Sequence, residues 1–160
     1  MIPQSPKEMF RQLRFMYHAV IIIYIALTAI ISIIYSRNIP NWNVGKETAS
    51  VLNSVLIMVA IATIPLGYYL YSQKTRNPAG YPSFNDKLKI YRRYTLIRFG
   101  LFDTAGFCSL VTYFLTGSQQ PMYLLLIIII LFLINKPTVE KFTEDFKLSE
   151  EEADMLKSEM

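Results

Sequence analysis

FMYHAVIIIYIALTAIISIIY, residues 15–35, holds no charged side chain over 21 positions. As an α-helix rising 1.5 Å per residue it is roughly 30 Å long, the thickness of a bilayer's hydrocarbon core. Lys7, Arg11 and Arg14 precede it and Arg37 follows. A secretory signal has an apolar core of about 7–15 residues and a small-residue cleavage site. This run is longer and ends in Tyr35, Ser36 and Arg37, so it reads as a retained span.

The rest of the chain follows the same pattern. Apolar side chains make up 52% of the 160 residues, with a mean hydropathy of +0.30, and they gather into blocks rather than alternating at strand or surface-helix spacing. Further spans are expected at 51–71, 94–116 and 121–135. Pro65 and Gly67 fall in the later half of the second and predict a bend there. The fourth, MYLLLIIIILFLI with Pro121 before it, is short for a bilayer, and Lys136 can snorkel at its far end. Gly117 to Pro121 supply a turn, so spans three and four form a tight antiparallel hairpin. The expected fold class is therefore all-α: an integral membrane four-helix bundle over residues 1–135 and a helical tail over 136–160.

Basic residues set the expected orientation. The N-terminal arm and the stretch between spans two and three, with Lys74, Arg76, Lys87, Lys89, Arg92 and Arg93, are rich in them, whereas the alternate connections hold only Arg37 and Lys46. The positive-inside rule then puts both termini and the middle stretch in the cytosol, N-in and C-in, in a multi-pass protein of the plasma (inner) membrane. Those six basic residues are read as a lipid-facing loop, required by topology and also suited to anionic lipid. Tyr17, Tyr68, Tyr69, Tyr71 and Tyr94 are expected as anchors at the inner interface, and Tyr35, Trp42, Tyr113 and Tyr123 at the outer one.

Asn85 is expected to cap a helix that starts at Asp86 and extends into span three. In the tail, Pro137 and Thr138 open an amphipathic segment with Val139, Phe142 and Phe146 on one face, and Ser149 with Glu152 makes a capping-box pattern. The tail is acidic and can dock on the basic stretch, although an ordinary solvated helix is the first expectation.

Few residues can carry chemistry. One cysteine, Cys108, and one histidine, His18, provide neither a thiolate metal cluster nor paired imidazoles, so no metal, no cofactor and no enzyme activity are expected. The formal charge of +4 lies beside apolar segments, which points to lipid and away from nucleic acid. Asp103 is the residue of interest, because a carboxylate inside a span is costly unless paired, protonated or wet. Arg98 lies roughly 140° around the helix from it at 100° per residue, so the two do not share a face. Arg98 instead continues a stripe of small residues, Ala105, Ser109, Thr112 and Thr116, that would admit a close neighbour. Candidate partners for Asp103 are His18, ranked first for its depth, then hydroxyls such as Thr63 or Tyr24. Asp103 reads most simply as a polar clamp between helices, His18 as an interfacial anchor and Cys108 as a packing residue.

The run KLKIYRRYTLIRFGLFDTAGFCSLVTYFLTG, the aliphatic span after it and KPTVEKFTEDFKLSEEE resemble a group of small bacterial four-span membrane proteins without an assigned activity. In that group the third span opens with an arginine followed by a carboxylate, usually Glu, and the tail opens with Pro-Thr. Arg98, Asp103, Pro137 and Thr138 are the matching positions, with Asp in place of Glu. The resemblance covers the second half of the chain and implies a fold.

The leading expectation is a non-enzymatic component of a membrane assembly that associates with itself or with another membrane protein through span three. The alternative is a small ion- or proton-coupled transporter or channel using Asp103. A lipid-active enzyme at the interface ranks third, for want of a nucleophile and base.

Overall fold

A computed structural model describes residues 5–37, 44–76, 80, 81 and 83–158. Trp42, expected at the outer interface, lies outside them. Every described element is helical. α1 spans Pro6–Ser36, α2 Lys46–Thr75, α3 Phe84–Thr116, α4 Gln119–Ile134, α5 Val139–Asp145 and α6 Glu150–Ser158.

The apolar runs are the inner parts of longer helices. α1 starts nine residues before its run, where the Ser5 hydroxyl accepts from the Glu8 N–H at 3.4 Å and Pro6 occupies the first turn. α2 continues through Pro65 as one element. α3 begins at Phe84 with Ser83 as its cap, two residues ahead of the expected Asn85. α1, α2 and α3 are each long and apolar enough to cross a membrane. The 16-residue α4 is not, and qualifies only together with α5, to which it is bent by 78°. Three helices are thus long and apolar enough to cross a membrane, or four if the bent pair serves as one, against the four spans expected from the sequence.

α3 is the helix on which α1, α2 and α4 all pack. Glycines make this approach close. A Cβ at Gly67 of α2 would stand 3.3 Å from a Phe102 ring carbon and 3.4 Å from Cγ of Arg98. A Cβ at Gly106 of α3 would stand 2.5 Å from the Tyr24 hydroxyl, so α1 lays this tyrosine over bare α3 backbone. At the far end Gly117 adopts φ +63°, closes α3, and leaves two residues before α4. Pro121 therefore sits within the first turn of α4 and not at its start.

Two apolar cores result. One runs along the bundle through Tyr24, Ile31, Phe99, Phe102, Ile128 and Phe132. The other lies at the basal end, where Phe10 and Leu13 of α1, Tyr71 of α2, Leu88 and Tyr91 of α3, and Phe142, Phe146 and Leu156 of the tail meet. The tail is thus not a free solvated helix: Phe142, Phe146 and Leu156 are wholly buried. Local signals did place its turns, since Thr138 accepts from the Lys141 N–H at 3.2 Å and Ser149 and Glu152 exchange backbone N–H bonds at 3.1 and 3.2 Å. Tyr17 and Tyr71, expected at an interface, are core residues instead, while Tyr69 and Tyr123 are exposed.

α6 is pinned by Lys87, whose ammonium lies 2.7 Å from Glu152. Partial burial pushes the Glu152 carboxyl up, but the hydrogen bonds from Lys87 and the Ser149 N–H outweigh it and hold the group below its usual range. A folded pKa below the unfolded one stabilises docking at neutral pH and loses that contribution as pH falls through the carboxylate range, about 4.3 and below. Protection of the α6 amides, relative to their intrinsic exchange rate at each pH, is expected to fall on acidification in detergent, and Glu152→Gln is expected to lower protection at neutral pH and flatten the pH response. For the bundle, Gly106→Ala is expected to lower the thermal midpoint by the equivalent of about 1–3 kcal/mol, as Tyr24 must move. Gly100→Ala, with open space around its Cβ, is expected to be neutral or stabilising by up to about 1 kcal/mol. Equal midpoints for the two variants would show that Tyr24 does not depend on Gly106.

Candidate functional site

Polar groups within the helices collect at two places on α3, on opposite faces. Arg98 lies at the first. It is 2% exposed, and its guanidinium carbon stands 4.0 Å from the centre of the Tyr71 ring. The Tyr71 hydroxyl donates to Oδ2 of Asp145 at 2.5 Å. The cation therefore rests on the face of a phenol whose proton is shared with the acid at the end of α5, which enriches the ring's electron density. Tyr91, about two turns before Arg98 on α3, packs against both Tyr71 and Phe142. Asn135, at the end of α4, donates to the Tyr68 hydroxyl at 2.6 Å and to the Leu131 carbonyl at 2.7 Å, and accepts from Lys141 at 3.5 Å. Lys141 is held below the usual lysine range, first by burial and then by the nearby charge of Arg98. The Arg98 Nε and the Thr95 hydroxyl are buried without a hydrogen-bond partner among the described residues.

This cluster joins α2, α3, α4 and α5. Two cations and one carboxylate inside an aromatic wall join these helices. Among the described residues, no group of three or more His, Cys, Asp or Glu comes together to hold a metal.

Asp103 occupies the second place. The Tyr24 hydroxyl donates to its Oδ1 at 2.6 Å and lies 2.9 Å from its carbonyl oxygen. The partner is thus Tyr24 and not His18, which is exposed and donates from Nδ1 to the Arg14 carbonyl at 2.6 Å, six residues and about 9 Å back along α1. Thr63, the other hydroxyl considered, bonds its own Val59 carbonyl. Asp103 itself is exposed. So are Gly100, Thr104, Phe107, Val111 and Phe114, which repeat on the same side at three- and four-residue steps. The opposite stripe is interior: Arg98, Ala105, Ser109 and Thr112 are buried and Thr116 half-buried, the hydroxyls of Ser109 and Thr116 returning to their own helix.

The basic positions do not form a loop. Lys74 and Arg76 end α2, while Lys87, Lys89, Arg92 and Arg93 ride on the first turns of α3. Lys87 pairs with Glu152, Arg92 donates to Gln12 at 3.1 Å, and Lys89 stands 3.8 Å from Asp86. Sequence reasoning missed Tyr71, Tyr91, Asn135 and Asp145. A signal was present: stepping back from Arg98 by three and seven residues along its stripe reaches Thr95 and Tyr91, both buried.

Tyr71→Phe keeps the ring under Arg98 and removes the bond to Asp145, at a cost of about 1–2 kcal/mol. Hydrogen exchange in detergent is expected to show α5 and α6 loosening with the α1–α4 core unchanged, whereas Tyr71→Leu is expected to destabilise the core as well. Identical behaviour of the two would remove the ring contact from the account. No family model, curated protein or solved structure matches this chain.

Proposed function

We propose that the protein is a non-enzymatic component of a membrane assembly, inserted with both termini in the cytosol, that binds a partner helix along the outward face of α3. One observation carries this reading: Asp103 is exposed on a segment apolar enough to cross a membrane, and among the described residues only one of its carboxylate oxygens is engaged, by Tyr24. In hydrocarbon the remaining lone pairs need a donor, so this face calls for cover by protein. The spacing of Gly100, Thr104, Phe107, Val111 and Phe114 suits a second helix laid alongside, and the open backbone at Gly100 permits close approach.

A twofold copy of the chain would set two Asp103 carboxylates against each other, which charge repulsion opposes. A partner offering a lysine, an arginine or a hydroxyl fits better. The outward placement of Asp103 supports association over ion coupling, because a coupling site needs access to an internal path. Purification in mild detergent followed by native mass spectrometry tests the reading. A co-purifying membrane protein is expected with the native chain, and its loss with Asp103→Leu while the thermal midpoint stays within about 1 kcal/mol of the parent. A strictly monomeric particle, or a complex indifferent to Asp103→Leu, would overturn it.

A further inference from the structure

At the basal end a cleft of about 150 Å³ opens between α1 and the α4–α5 corner, lined by Phe10 and Arg14 on one side and by Lys136, Pro137, Thr138, Val139 and Glu140 on the other. Arg14 immediately precedes the apolar run of α1, and Lys136 follows that of α4 by one residue. Both are exposed and both line the same cleft. Arg14 uses its Nε on the Phe10 carbonyl at 3.4 Å, which leaves its two terminal nitrogens for a ligand. Just beyond the cleft the surface turns apolar and open, with Phe15 74% and Ile134 66% exposed.

From this arrangement we infer a binding site for the head group of a phospholipid that carries a primary ammonium, a phosphoethanolamine lipid. Its phosphate sits between Arg14 and Lys136, and its ammonium meets the carboxylate of Glu140. The acyl chains continue over Phe15 and Ile134. Charge selects the class: two cations alone would favour an anionic head group, and the acid beside them adds a preference for a zwitterion. A primary ammonium carries N–H donors for the Glu140 carboxylate, whereas the trimethylated ammonium of a choline lipid carries none. The inference rests on the membrane reading above but is independent of the Asp103 face.

The test uses the full chain in nanodiscs of equimolar phosphatidylethanolamine, phosphatidylglycerol and phosphatidylcholine, with retained lipid read by native mass spectrometry. Phosphatidylethanolamine is expected to be retained over each of the others by roughly fivefold, the ratio one charge-assisted hydrogen bond supplies at an exposed site. Glu140→Gln is expected to abolish that preference and let phosphatidylglycerol bind at least as well. The double change Arg14→Gln with Lys136→Gln is expected to lose retained phospholipid of all kinds. The three side chains are exposed, so the variants should match the parent in thermal midpoint. Soluble phosphoethanolamine at millimolar concentration is expected not to displace the lipid, since it lacks the chains. Equal retention of the three lipids, a preference for phosphatidylglycerol in the native chain, or indifference to Glu140→Gln would overturn the site. Release of the protein from membranes by alkaline carbonate would overturn the membrane reading and the site with it; an embedded protein without lipid preference would overturn the site alone.

Discussion

A guanidinium lies where the two apolar cores meet, and the arrangement of the helices around it follows from the cost of keeping it there. Arg98 cannot shed its charge, and a bare cation in an apolar interior is costly. The protein answers with a ring face from α2 and, through the hydroxyl of that ring, a carboxylate from α5. Neither group is useful unless α2 and α5 come to the same level of α3. The cation therefore fixes the register of α2 against α3, and it requires the tail to fold back beneath the bundle.

Close packing does the rest. Gly67 brings α2 against Arg98 and Phe102, and Gly106 receives Tyr24 from α1. α4 has only 16 residues, and its end is tied by Asn135 to Tyr68 of α2 and to Lys141 of α5. The sharp corner between α4 and α5 turns Phe142 and Phe146 under the bundle, where they meet Phe10 and Tyr91. The basal core is thus built from both ends of the described chain, and the charged pair Lys87–Glu152 closes its edge.

α3 consequently has two characters. Its buried side holds the small residues, the arginine and the aromatic contacts, with the guanidinium met by the Tyr71 ring. Its open side keeps a carboxylate that a single tyrosine answers only in part. One face of this helix is covered by its neighbours and the other is open, which is the physical basis for the proposal that the protein belongs to an assembly. The cleft beside Arg14 and Lys136 is a separate feature, set by where α1 and α4 leave their apolar runs.

The sequence by itself determined what depends on near neighbours along the chain. Charge-free runs located the helices, the turn at Gly117 and the caps at Thr138 and Ser149 came from local backbone chemistry, and helical spacing separated the Arg98 stripe from Asp103. Tertiary structure alone decided which tyrosines are interior, that Tyr24 and not His18 meets Asp103, and that the acidic tail is docked. The reason is that a tyrosine carries both an apolar ring and a polar tip, and suits an interface or a core equally well. Which of the two it occupies is fixed by the helix packed across from it, and helical periodicity within one segment holds no information about that neighbour.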